Sequence, residues 1–233
     1  MRRIRGTGTD YLPPDKYLTI EQVNTLRQSV CIEAERARQN GSRRGLVNWM
    51  LIELMLETGL RAEEVCCLKL EDMPTYHGKD VVRVRHGKGD VLRTVNVKQS
   101  MKDKIAEYVR LCRKGAKPGS PMFVTEAGQR LLRWRVGRKG KVVTLKERTA
   151  RLSYHELYMR IRHIGKRAGI DNLYPHKLRH TFATFLYNTE KDVLFVQRQM
   201  GHSRPEITSR YSQPLDEAGR RQTEALYSQS DVP

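Results

Sequence analysis

Apolar residues recur at helical spacing along most of the chain and at alternate positions in a short middle stretch. Ile20, Val23, Leu26 and Val30 mark one face of a first helix. Thr19 and Gln22 supply a T-x-x-Q capping box at its start, with Leu18 placed to staple onto Val23. The turn Asn40-Gly41-Ser42-Arg43-Arg44-Gly45 ends it. A second helix follows over 46–58. It is apolar on most sides (Val47, Met50, Leu51, Leu54, Met55), so it belongs at the centre of the core, and Gly59 is suited to cap it. A short helix is predicted from Ala62 to about Leu68.

The period then changes to two. Val82 and Val84 alternate with Arg83 and Arg85, residues 86–90 make a turn, and Val91, Val95 and Val97 alternate with Leu92, Thr94 and Asn96, as in a β-hairpin. A helix over 101–113 and a short strand over 122–125 come next. Residues 129–148 read as a second, strongly basic hairpin: Leu132, Trp134 and Val136 alternate with Arg133, Arg135 and Gly137, and Gly137-Arg138-Lys139-Gly140 forms the turn. Further helices are predicted over 152–168, 176–188, 192–200 and 203–212, the last opened by Ser203-x-x-Glu206, and a tail helix over 215–227. The expected class is mainly α (α+β), a helical bundle with a small antiparallel sheet and the extra basic hairpin. Residues 1–17, broken by Gly6, Gly8, Pro13 and Pro14, read as a flexible basic arm.

Charge changes the picture. Forty-four Lys and Arg face 26 Asp and Glu, a formal net of +18. Such an excess repels itself in a compact chain and points to a polyanionic partner, nucleic acid before an anionic membrane. No basic amphipathic anchor stands out, no run of about 18 apolar residues exists, and no apolar stretch follows the basic N-terminus. The expected location is cytoplasmic, at the nucleoid, with no membrane. Cys31, Cys66, Cys67 and Cys112 form no CxxC pair, which suits buried thiols in a reducing compartment and argues against structural zinc.

Three segments carry chemistry: Thr58-Gly59-Leu60-Arg61-Ala62-Glu63-Glu64, Pro175-His176-Lys177-Leu178-Arg179-His180, and Met200-Gly201-His202-Ser203 with Ser209-Arg210-Tyr211 beyond it. His176 and Arg179, three apart on a helix, share a face, and His180 flanks it. Their place just after Pro175 favours an anion. Arginines grip a phosphate through paired N–H groups as lysine cannot, and His176 and His202 add donors or proton carriers near neutral pH. This is an inventory for phosphoryl transfer without a metal, since no carboxylate cluster of a metal-dependent nuclease stands at convincing spacing.

Together these motifs resemble the tyrosine recombinase (phage integrase) family, its catalytic domain falling over residues 18–213. The resemblance implies roles residue by residue. Arg61 is similar to the first catalytic arginine, with Glu64 the acidic residue that supports the site. Lys88, in the hairpin turn, resembles the mobile lysine that protonates the leaving 5′ oxygen. His176 and Arg179 match the H-x-x-R pair, His202 the G-H position, and Tyr211 the nucleophile. The implied enzyme is a site-specific recombinase acting in integration, excision, inversion or resolution through a 3′-phosphotyrosine, with no cofactor. It would act on double-stranded DNA as a tetramer, residues 214–233 docking on a neighbouring subunit.

Only residues 1–17 precede the catalytic pattern, so we expect the family's N-terminal core-binding domain to be absent and an accessory DNA-bending or clamp protein to have room to act. DNA contacts are expected from Arg2, Arg3 and Arg5, from Arg43, Arg44 and Lys177, and from Arg133, Arg135, Arg138, Lys139 and Lys141. Two other readings stay open: relaxation of DNA in the manner of a type IB topoisomerase, and a non-catalytic DNA-binding regulator.

Overall fold

Both halves of the predicted capping box form. Thr19 Oγ1 accepts from the Gln22 N–H at 3.3 Å, and Gln22 Oε1 accepts from the Thr19 N–H at 3.1 Å. They open helix α1, Ile20–Gln39. The structure is a computed structural model that describes residues 12–85, 93–125 and 151–201. Leu18, fully buried beside the box, also donates its N–H to Thr181 Oγ1 at 2.9 Å.

Helix α2, Arg44–Thr58, is buried at every residue from Gly45 to Leu56. It begins two residues before the expected start and lies against α1 so closely that a Cβ on Gly45 would sit 2.4 Å from the Glu33 carbonyl oxygen. Gly59 closes it with φ 58°, in the left-handed region where glycine is favoured. Short helix α3, Ala62–Cys67, follows. A 3-10 turn, Leu70–Asp72, and helix α4, Pro74–His77, then fill a stretch to which the sequence pattern assigned no element. Asp72 organises it by accepting the Lys69 N–H at 3.0 Å and pairing with Arg85.

Strands β1, Val81–Val84, and β2, Arg93–Asn96, pair antiparallel with Val82 opposite Val95 and Val84 opposite Arg93. Helix α5, Gln99–Cys112, comes next. The strand expected over 122–125 does not form. Among the described residues, Pro121 and Val124 make isolated bridges, to Lys69 and Arg151. After it come α6, Tyr154–Arg167, α7, Pro175–Glu190, and α8, Val193–Met200. Asp192, expected inside α8, is instead its cap, accepting the N–H groups of Leu194 and Phe195 at 2.8 and 3.0 Å. Helices α1, α5, α6 and α7 pack around α2, while α8 bridges α7 and β2.

Two expectations need correction. Leu12 and Tyr17, assigned to the flexible arm, pack on the domain: Leu12 is buried with Phe182, Ala183, Val196 and Met200, and Tyr17 lies against the same cluster. The Pro14–Lys16 turn steers Leu12 onto this apolar patch of α7 and α8. Cys31 is exposed, whereas Cys66 and Cys112 are buried. The basic hairpin and the helices expected over 203–212 and 215–227 lie outside the described residues. Among the described residues, no helix is long and apolar enough to cross a membrane.

Candidate active site

The left-handed turn at Gly59 reverses the chain between α2 and α3 and delivers Arg61 to the N-cap of α3. Glu64, three residues on and buried, folds back: its carboxylate accepts the Arg61 N–H at 2.8 Å and the Arg61 Nη1 at 3.0 Å. The guanidinium is thus held on one side by a carboxylate. On its other side Nη2 donates to the Gly201 carbonyl at 3.1 Å.

Arg179 arrives from the second turn of α7 and is only 4% exposed. It donates to the Gly59 carbonyl and, through Nη2, to the Met200 carbonyl at 2.7 Å. Both arginines therefore hang from the last carbonyls of α8, the negative end of that helix. They bring together three segments far apart in sequence. The close fit of Phe182 against Gly59, where a Cβ would meet the ring at 2.2 Å, fixes α7 against the turn.

His176 stands in the first turn of α7 with an accessible ring, 6.2 Å from the His180 ring and edge-on to it. Partial burial, then the charges of Arg179 and Arg61, hold its pKa below the ordinary histidine value. The neutral imidazole is favoured at pH 7, the form able to accept a proton.

A third guanidinium joins the cluster. Arg93, at the start of β2, donates Nη2 to Glu64 Oε2 at 2.7 Å, and its side chain is 14% exposed. It stands in none of the three segments whose motifs carry chemistry. The overlooked signal is parity: Val91, Arg93, Val95 and Val97 share one face of the predicted hairpin arm, and a charge on an apolar face needs a buried partner.

The structure thus gathers Arg61, Glu64, His176 and Arg179. It does not bring Arg43 and Arg44 there. They start α2, and its 15 residues put them roughly 22 Å along the helix from its other end. Lys177 is 8% exposed and lines a separate cavity of about 380 Å³ with Lys16, Tyr158, Arg162, Asp171 and Tyr174. Lys88, His202, Tyr211 and the basic residues at 2, 3, 5, 133, 135, 138, 139 and 141 lie outside the described residues. Among the described residues no His, Cys, Asp and Glu gather in a metal-binding group of three or more. What the arrangement offers chemically is concentrated positive charge, three guanidiniums against one carboxylate, beside a neutral imidazole.

This mainly helical domain ties two arginines to one helix end with a histidine near their charges, and the chain belongs to the phage integrase family, matching its model over residues 16–218. Tyrosine recombinase XerC of Mycobacterium sp. (strain KMS) is 31% identical over 192 residues, which are 80% of this chain and 57% of that protein. XerC of Mycobacterium tuberculosis (strain ATCC 25177 / H37Ra) gives the same identity over 191 residues, again 57% of its length. The chain thus spans little more than half of these curated relatives.

Among solved structures, XerA recombinase superposes with a TM-score of 0.62 at 23% identity, over 93% of this chain and 66% of that one. XerH site-specific recombinase bound to its difH substrate does so with a TM-score of 0.62 at 21% identity, over 95% and 53%. These likenesses are of fold. They place the described helices and hairpin in the tyrosine recombinase architecture.

Proposed function

We propose that the chain carries the catalytic region of a site-specific DNA recombinase that cuts and rejoins DNA through a covalent bond to Tyr211. The observation that carries this reading is the convergence of Arg61 and Arg179 on the Gly201 and Met200 carbonyls, one and two residues before His202 in sequence, with His176 within reach of both charges. The related XerH structure holds a difH DNA substrate, which supports DNA as the polyanion this chain's charge calls for.

In the proposed reaction Arg61 and Arg179 neutralise the scissile phosphate, and do so more strongly as charge builds in the pentavalent transition state. His176, neutral at pH 7, takes the phenolic proton as Tyr211 attacks phosphorus. The P–O5′ bond breaks as the P–O bond to tyrosine forms, and Lys88 gives its proton to the leaving 5′ oxygen. His202 holds a non-bridging oxygen. The phosphodiester energy stays in the 3′-phosphotyrosine, so a 5′ hydroxyl from a partner duplex can reverse the steps without any external energy source. Four copies acting on two duplexes would complete the exchange, with residues 214–233 of one docking on the next.

The test is covalent capture. The 233-residue chain is incubated with a library of nicked duplexes and resolved on a denaturing gel. An adduct is expected, together with its loss in Tyr211→Phe at unchanged DNA binding. An undiminished adduct in that variant would overturn the assignment of the nucleophile.

A further inference from the structure

Arg93 is the one member of the cationic cluster to which the reaction above gives no task. Its Nη2 binds the Glu64 carboxylate that also holds Arg61, so two guanidiniums share one buried acid. Its aliphatic part lies on Gly201: a Cβ there would come within 2.2 Å of Arg93 Nε and 2.7 Å of Cδ. Gly201 in turn offers Arg61 its carbonyl. Three residues along β2, the Asn96 N–H donates to Gln199 Oε1 at 3.1 Å, a second tie between this strand and α8. Arg93 therefore closes a ring running from β2 through Glu64 and Arg61 to the Gly201 turn.

Charge makes the ring more than a brace. Arg61 and Glu64 alone cancel, and a neutral pair attracts a phosphate weakly. With Arg93 added, the trio carries a net positive charge in a setting screened little by water. Burial is unfavourable for Arg93, and the nearby Arg61 adds repulsion; both hold its pKa below the usual arginine value, against the pull of Glu64. Its Nη1 is buried with no hydrogen-bond partner among the described residues. Among the described residues, Glu64 is the acid that pairs with it.

We propose that Arg93 is a positioning residue for the cleavage step: it offsets the Glu64 charge so that Arg61 keeps its own for the phosphate, and it sets the Gly201 turn against which Arg61 rests. This rests on the recombinase reading above.

The test compares wild type, Arg93→Gln, Arg93→Lys, Glu64→Gln and the Glu64→Gln/Arg93→Gln pair. Single-turnover adduct formation on a nicked duplex cut by the unaltered chain is measured beside DNA affinity and thermal melting. We expect Arg93→Gln to bind DNA within about threefold of wild type and to cleave about 10- to 100-fold more slowly, the scale of a displaced reactive group. Arg93→Lys, which keeps the charge but not the forked N–H pair, is expected to fall between the two.

The deciding outcome is a reversal. Removing Glu64's charge as well frees Arg61 again, so the double variant should cleave faster than Arg93→Gln alone. A residue that merely braces the fold would give a double variant slower than either single one, and that result overturns the proposal, as does wild-type cleavage by Arg93→Gln. If Arg93→Gln does not fold, Arg93→Lys decides: slower cleavage at unchanged melting supports the proposal, and an unchanged rate overturns it. Absence of any adduct with the unaltered chain would instead strike at the recombinase reading itself.

Discussion

The Arg61 guanidinium donates to the Gly201 carbonyl at 3.1 Å across 140 positions of sequence. The contact depends on a backbone that only glycine adopts readily, since Gly201 has φ 61° and the Arg93 side chain occupies the space where a Cβ would project. Gly201→Ala is therefore expected to lower stability by about 1–3 kcal/mol, the range for a strained left-handed residue. Cleavage should fall as well, because the carbonyl that Arg61 uses would move. Urea melts and adduct kinetics on one preparation check both, and a variant equal to wild type in each would contradict the contact.

Arg179→Ala removes a buried group that serves two carbonyls, Gly59 and Met200. Leaving buried acceptors without donors costs about 1–3 kcal/mol each before relaxation or entering water offsets it. The loss of a transition-state donor should slow cleavage by about 10²–10³-fold. Arg179→Lys should recover part of the stability and little of the rate, since one ammonium does not span both carbonyls and a phosphate. Denaturant titration with single-turnover kinetics separates the two effects.

How much of this was legible in the sequence follows physical lines. Arg61, His176 and Arg179 stand in motifs whose spacing sets them on helix starts, so their roles could be proposed from the chain alone. Arg93 could not be recognised that way, because its meaning depends on Glu64, 29 positions away. The α2 core helix and the capping box at Thr19 are local patterns and formed as read. The 122–125 segment, apolar at Met122, Phe123 and Val124, mimics a strand; among the described residues it is buried with isolated bridges and no ladder, and periodicity cannot distinguish the two. Leu12 looked like part of a loose arm because its partners, Phe182 and Val196, come from the far end of the chain.

The proposed role of His176 as proton acceptor predicts an acid limit on cleavage. Its pKa in the free protein lies below the ordinary value of about 6.5. The base form therefore predominates at pH 7 and is lost as pH falls through that lowered value. The apparent second-order rate of adduct formation should fall toward acid pH with a midpoint below that of an ordinary histidine. A midpoint above the ordinary histidine value of about 6.5 would show that another group accepts the proton, and His176→Gln should lower the plateau and flatten this limb.

The thiols should separate by reactivity. Burial pushes Cys66 up to about 12 and Cys112 up to about 11, while Cys31 is exposed on α1. Thiol titration of the native chain with a disulfide reagent at pH 7.5 should label Cys31 rapidly, and Cys66 and Cys112 only when denaturant is added. Peptide mapping of the labelled sites checks the order.

For the basic segment at Arg133, Arg135 and Arg138, we propose phosphate contact without base reading. Replacing all three with glutamine should weaken binding to unrelated duplexes alike and reduce the salt slope by about two to three, near one for each lost phosphate contact. Fluorescence titrations at several salt concentrations measure it. A change in sequence preference at constant slope would assign these side chains to base edges instead.

Two consecutive carbonyls at the end of α8, those of Met200 and Gly201, anchor two arginines that the proposed reaction turns on one phosphate. A free arginine side chain carries about 2 kcal/mol of rotamer entropy that it must give up on gripping a ligand. Here folding has already exacted much of that loss, since each guanidinium is fixed before any DNA arrives. The helix end acts as a jig: the phosphate meets cations whose directions are set, and a larger part of its binding free energy remains available to favour the transition state.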